Sequence, residues 1–104
     1  MAATNHTGVV IHDSRIILDA DAEACEMFRC DRAALIGLEI IDLLFYEDFQ
    51  RLGELRMKVL REQGRIGPVE YPFNRFDGAL FWAQVTTEKI AEGMYRSCIT
   101  YPFY

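Results

Sequence analysis

The stretch Glu47 to Gln63 reads as one amphipathic helix, and almost everything after it has strand character. Phe49, Leu52, Leu55, Val59 and Leu60 fall on one stripe at helical spacing. Glu47 and Asp48 open the stretch, where a helix dipole favours negative charge. Glu47–Arg51 and Glu54–Lys58 are i,i+4 pairs in the favourable order, and Gly64 supplies a C-terminal cap. Beyond Gly67-Pro68 come Val69 to Phe76, Ala79 to Ile90 and Met94 to Tyr101, rich in apolar and aromatic residues. Asp77-Gly78 reads as a type I′ hairpin turn between the first two strands, and Glu92-Gly93 as a turn between the last two. Strands in succession joined by tight turns must pair antiparallel, because a parallel pair needs a long crossover.

Two further strands precede the helices. Gly8 to His12 is rich in β-branched residues, Asp13-Ser14 is a turn signal, and Arg15 to Leu18 forms the second arm of a hairpin. Asp21 is placed to cap a helix starting at Ala22, with Ala24, Met27 and Phe28 on its buried face. Asp31 is placed to cap a short helix, Arg32 to Ile36, which Gly37 stops. Ile40 to Phe45 is apolar apart from Asp42, so it should be buried. Pro72 lacks an N–H, which puts its strand at a sheet edge, and Pro102 should end the last strand. Strands, helices, then strands again imply an α+β fold with an antiparallel sheet and helices on one face.

The length of 104 residues suits one domain. Its division is a flank, 1–7, and a single domain, 8–104. A net charge of −5, with basic residues interleaved among acids, leaves no basic stripe for a nucleic acid to track. No apolar run spans a bilayer and none opens the chain as a signal peptide, so direct membrane contact is not expected. Cys25, Cys30 and Cys98 are odd in number and lack metal-site spacing. They read as reduced thiols, and the expected location is the cytoplasm.

The order of these signals resembles the PAS family of sensory domains across nearly the whole chain. Asp13-Ser14-Arg15-Ile16 is similar to that family's opening turn, and Asp21, Ala24 and Phe28 to the start of its first helix. Leu35-Ile36-Gly37 resembles the end of the next helix, and Asp42-Leu43-Leu44 with Glu47-Asp48 the approach to the long one. Asp77-Gly78 followed by Phe81-Trp82 resembles its central hairpin. The chain departs from the family pattern at Asp21 for Asn, Arg29 for Gly and Ser14 for Gly. The resemblance implies a PAS-like five-stranded antiparallel sheet of order 2-1-5-4-3.

It also implies what the domain does: it binds a small apolar or amphipathic ligand, dimerises, or both, and so controls an attached output domain such as a histidine kinase or a cyclic-nucleotide enzyme. Strand alternation separates Phe81, Ala83 and Val85 from Leu80, Trp82 and Gln84. Similarity to the family turns the Phe81 face, with Phe73, Cys98 and Thr100, toward the helices, where Leu52, Leu55 and Val59 would cover a pocket. Trp82, Ile99 and Tyr101 would then form an apolar outer face, a candidate homodimer interface.

Catalytic constellations are missing from the pattern. His6 and His12 are the histidines, and neither has an identifiable nucleophile to activate; His12 beside Asp13 reads as a surface or strand-end residue. No Gly-rich phosphate loop is present. The haem mode of the PAS family needs a histidine on the long helix, which has none, and the covalent flavin mode needs a cysteine where Ile40 stands. A non-covalent flavin stays open; otherwise no cofactor and no metal are expected. The alternatives to a ligand sensor are a pure interaction module with a filled core and a small α+β enzyme.

Overall fold

The computed structural model describes residues 5–102. Residues 1–4 of the flank lie outside them, and His6 and Thr7 belong to the first strand rather than to the flank. The strands are β1 (His6–His12), β2 (Ile17–Ala20), β3 (Arg65–Asn74), β4 (Leu80–Ala91) and β5 (Met94–Tyr101). They pair antiparallel in one five-stranded sheet of order β2-β1-β5-β4-β3. Between β2 and β3 come α1 (Ala22–Phe28), α2 (Arg32–Leu35), a 3-10 turn (Ile40–Leu43) and α3 (Glu47–Gln63). The long helix therefore keeps the limits that its charge and glycine signals set. Pro72 stands on the edge strand and β5 ends before Pro102, as prolines require.

The core lies between the helices and one sheet face. Phe28 is fully buried and meets Phe73 and Phe81 edge-on, with centroids 5.5 and 5.4 Å away. α1 can lie close to β1 because residue 8 is glycine: a Cβ there would fall 2.7 Å from the Ala24 Cα. The α1 cap forms as its sequence suggests, with the Asp21 carboxylate accepting from the Ala24 N–H at 2.9 Å and from the Val9 N–H at 3.0 Å. Arg29 then takes the left-handed conformation (φ 58°) that the family commonly gives to glycine. An ion pair with Asp77 and hydrogen bonds from its N–H to the Cys25 and Glu26 carbonyls hold it there.

Several boundaries differ from the sequence reading. β2 begins at Ile17, not Arg15, because the Asp13 carboxylate accepts from the Arg15 N–H (2.9 Å) and the Ile16 N–H (2.6 Å). With Ser14 at φ 77°, that Asx-type turn holds both residues out of the ladder. Asp31 precedes α2 but its side chain makes no capping bond. β3 begins at Arg65, taking Gly67-Pro68 in as a bulge at which the register jumps from Ile66 to Val69. The β3–β4 connection is not type I′: only Gly78 has a positive φ (88°), and Asp77 does not. The Gly78 N–H reaches the Arg75 carbonyl and the Arg75 N–H the Ala79 carbonyl, so Phe76-Asp77 turn conventionally and Gly78 alone takes the left-handed position.

Two side-chain orientations also differ, and both bear on function. On α3 the buried positions are Gly53 and Leu60, with Phe49 and Met57 half-buried, whereas Leu55 is 64% exposed and Val59 also faces water. Glycine carries no apolar surface and so gave no signal, yet it sets the approach: a Cβ on residue 53 would meet Leu44 at 2.9 Å and Ile41 at 3.2 Å. On β5 the inner set is Tyr95, Ser97, Ile99 and the half-buried Tyr101, and the outer set includes Arg96, Cys98 and Thr100. Val85 pairs directly with Ile99 and Thr87 with Ser97, and directly paired residues share a face.

Candidate functional site

Between the helix face and the sheet lies a half-open apolar cavity of about 40 Å³. Ile40, Ile41, Leu43 and Leu44 from the 3-10 segment close one side, and Gly53 and Met57 from α3 another. The sheet contributes Ile66, Val69, Tyr71, Phe73, Val85, Ile99 and two hydroxyl residues, Thr87 and Ser97. By the yardstick that one water occupies roughly 10–15 Å³ of such space, the cavity has room for about three waters or a ligand of a few heavy atoms. Ile41 and Met57 also border an outer polar cleft of about 250 Å³, lined with Ser14, Arg15, Glu39, Glu54 and Arg61. These two side chains thus stand between the apolar cavity and that polar cleft.

Of the pocket residues expected from sequence, Phe73 and Val85 line the cavity, and Phe81 and Ala83 are buried on the same sheet face. Leu52 is half-buried on α3 outside the lining. Leu55 and Val59 are exposed, and Cys98 and Thr100 lie on the opposite sheet face, so these four do not reach the cavity. Ile99 and Tyr101, expected outside, are inside: Ile99 lines the cavity and the Tyr101 ring meets Phe81 edge-on at 5.1 Å. The charge of Arg96 was the available signal. Its guanidinium pairs with Glu88, next to Arg65, across the outer face, which fixes the parity of the whole strand.

Trp82 does face outward, 41% exposed. Its neighbour is the Phe49 ring, edge-on at 5.5 Å, which continues through Tyr46 to the exposed Phe45. Around it the outer face is mixed, with Val9 and Ile11 half-buried beside Gln84, Thr86, Cys98 and Thr100. The three cysteines are free and half-buried, and burial pushes the Cys25 and Cys30 thiols up. Among the described residues no group of three or more His, Cys, Asp or Glu could hold a metal, and no helix is long and apolar enough to cross a membrane.

His12 is the largest departure from the sequence reading. It is fully buried, stacked on Tyr95 with centroids 5.9 Å apart. Its Nδ1 accepts from the Ser14 N–H at 3.0 Å, and its Nε2 lies 2.8 Å from the Ser97 Oγ. Ser97 in turn lies 2.7 Å from the Thr87 Oγ1. Burial outweighs the attraction of Asp13 and lowers the His12 pKa from 6.5 to about 4, so the ring is neutral near pH 7. The signal was the strand period: Gly8, Val10 and His12 share one face of β1. With a nearly apolar cavity and a neutral, internally paired imidazole, the site offers packing and hydrogen bonding.

The family model for the PAS fold matches residues 1–97 of the chain. The chain belongs to the PAS fold family. Among solved structures it is similar to the PAS domain, in complex with ethanol, of a LuxR-family transcriptional regulator from Burkholderia thailandensis: 28% identity, TM-score 0.73, covering 89% of this chain and 86% of that one. It also resembles in fold a domain of a sensor histidine kinase/response regulator from Geobacter sulfurreducens, at 12% identity and TM-score 0.78, covering 89% and 81% of the two chains. The PAS domain of an HTR-like protein from Haloarcula marismortui is similar at 17% identity and TM-score 0.72, covering 90% and 83%. No curated protein matches the chain.

Proposed function

We propose that this domain is a non-catalytic sensory module of a signalling protein, which takes a very small amphipathic molecule into the cavity between α3 and the sheet and passes its occupancy to an attached output domain. The observation that carries this is a half-open apolar cavity between the helices and the sheet with two hydroxyl residues in its lining. A domain with a simply filled core would close that space, because close packing is the default of protein interiors. The neighbour crystallised with ethanol, within a transcriptional regulator, supports a ligand of that size class and a regulatory context. The kinase neighbour supports an output domain on the same chain only through likeness of fold. Ethanol added to the isotopically labelled domain should give saturable NMR shifts at Met57, Val85 and Ile99. Val85→Phe, which fills the space, should abolish them while the circular dichroism stays native. Shifts spread over the surface, equal in both proteins, would count against a cavity site.

The same dimensions bear on cofactors. A haem or flavin ring system is several times larger than a space of about 40 Å³. The purified domain should therefore be colourless, and a visible absorption band surviving dialysis would contradict the assignment.

Self-association is the second reading, favoured by the exposed Phe45, Tyr46 and Trp82 joined through the half-buried Phe49. Aromatic anchors of this kind dominate interfaces. Trp82→Glu should then give a folded monomer where the wild type dimerises, as read by sedimentation. A wild type that sediments as a monomer at high concentration would remove this reading.

A further inference from the structure

Resting on the cavity reading, we infer that Thr87, Ser97 and His12 form a relay that reserves one hydroxyl proton for the occupant, so that the cavity selects molecules carrying a hydrogen-bond acceptor. The direction of the relay follows from its outer end. The Ser14 N–H can only donate, so His12 Nδ1 accepts, and in the neutral ring the proton must sit on Nε2. Nε2 then donates to the Ser97 Oγ at 2.8 Å. The contact between Ser97 and Thr87, 2.7 Å long, uses the proton of one hydroxyl. If Ser97 donates, the Thr87 proton is left over; if Thr87 donates, the Ser97 proton is. Neither hydroxyl has another hydrogen-bond partner among the described residues, and both border the cavity.

Thr87 and Ser97 are 3% and 2% exposed, so solvent outside the fold does not meet this proton. Water inside the cavity can meet it, and so can a ligand oxygen. A hydrocarbon of the same shape would expel that water and leave the donor buried without a partner, which is costly. The ligand class is thus a compact molecule of a few heavy atoms with a carbonyl or hydroxyl oxygen at one end and apolar carbon at the other. Ser97 and Thr87 set the specificity, and His12 acts through Ser97 as a positioning residue that keeps the free proton on the cavity side.

Acetone and isobutene test this, because they match in shape and differ in the acceptor. Each is titrated into the labelled wild-type domain, following the Met57, Val85 and Ile99 methyl resonances. Acetone should bind about tenfold or more tightly than isobutene, the discrimination expected from one unpaired buried donor. Thr87→Val should keep the preference, since Ser97 then holds the free proton. Thr87→Val combined with Ser97→Ala passes the free donor to the His12 Nε2–H and should keep a preference, and adding His12→Leu, with circular dichroism as the folding control, should abolish it. Equal binding of the two probes to the wild type would overturn the inference while leaving the cavity as a ligand site. Failure of both probes to shift the cavity methyls would overturn the cavity reading and this inference together.

Discussion

Phe28→Ala should destabilise the domain by about 3–5 kcal/mol, the usual cost of truncating a fully buried phenylalanine. The ring has no exposed surface and stands between Phe73 and Phe81, each met edge-on, so its removal leaves a void bounded by two other rings. Those rings cannot collapse freely into the space. Phe73 stacks on Phe81 at 5.6 Å, and the Arg75 guanidinium lies over the Phe81 ring, 4.3 Å from its centre. The Arg75 Nε is itself committed to the Met27 carbonyl at 2.9 Å. A domain of this length has a total stability of about 5–15 kcal/mol, so the variant should melt on the order of 20 °C lower or fail to fold at 37 °C. Phe28→Leu should recover most of the loss. A Phe28→Ala variant melting within a few degrees of wild type would mean that α1 is not part of the cooperative core.

The second large effect is a loss of stability in mild acid. His12 has a folded pKa of about 4 against an ordinary value of 6.5. Between those values the unfolded chain binds a proton that the folded protein refuses, so unfolding gains as pH falls. Stability is fully present above pH 6.5, declines below it, and levels off once pH drops past the folded value. Across the whole window the loss is about 3 kcal/mol, one proton's linkage over that interval. Asp13, Asp19 and Asp77 also have lowered pKa values, from an ordinary 3.8, and Glu88 and Glu92 from 4.5, so their contributions fade only in stronger acid. The difference in denaturant midpoints between wild type and His12→Gln, followed from pH 7 to pH 5, isolates His12, because His6 beside Glu23 is common to both. The wild type should lose stability there more steeply than His12→Gln. Equal slopes for both proteins would show that the imidazole is not buried as a neutral ring.

The backbone plan was legible because its signals are local and redundant. Glu47-Asp48 at one end of α3 and Gly64 at the other bracket the helix irrespective of how it packs. Asp21 marks the α1 start, and Pro72 marks the edge strand. The site was less legible, since it depends on which way each element is turned. On β5 a one-residue choice of parity exchanges Cys98 and Thr100 for Ser97 and Ile99. Similarity to the family had turned the wrong set inward, whereas the charge on Arg96 argued for the right one. On α3 one of the two lining residues is Gly53, which adds nothing to an apolar stripe and is informative only once Leu44 and Ile41 are seen against it. His12 was misplaced because polarity was weighed above period, although β1 buries Val10 and His12 on one face.

The central claim, that the cavity is a ligand site, is most directly tested by a high-resolution crystal structure of the domain soaked in ethanol. The account predicts density for a single small molecule against Met57, Val85 and Ile99, with its oxygen within hydrogen-bonding distance of Thr87 or Ser97. A cavity that holds only water, or that has closed around its own side chains while ethanol sits elsewhere on the surface, would contradict it.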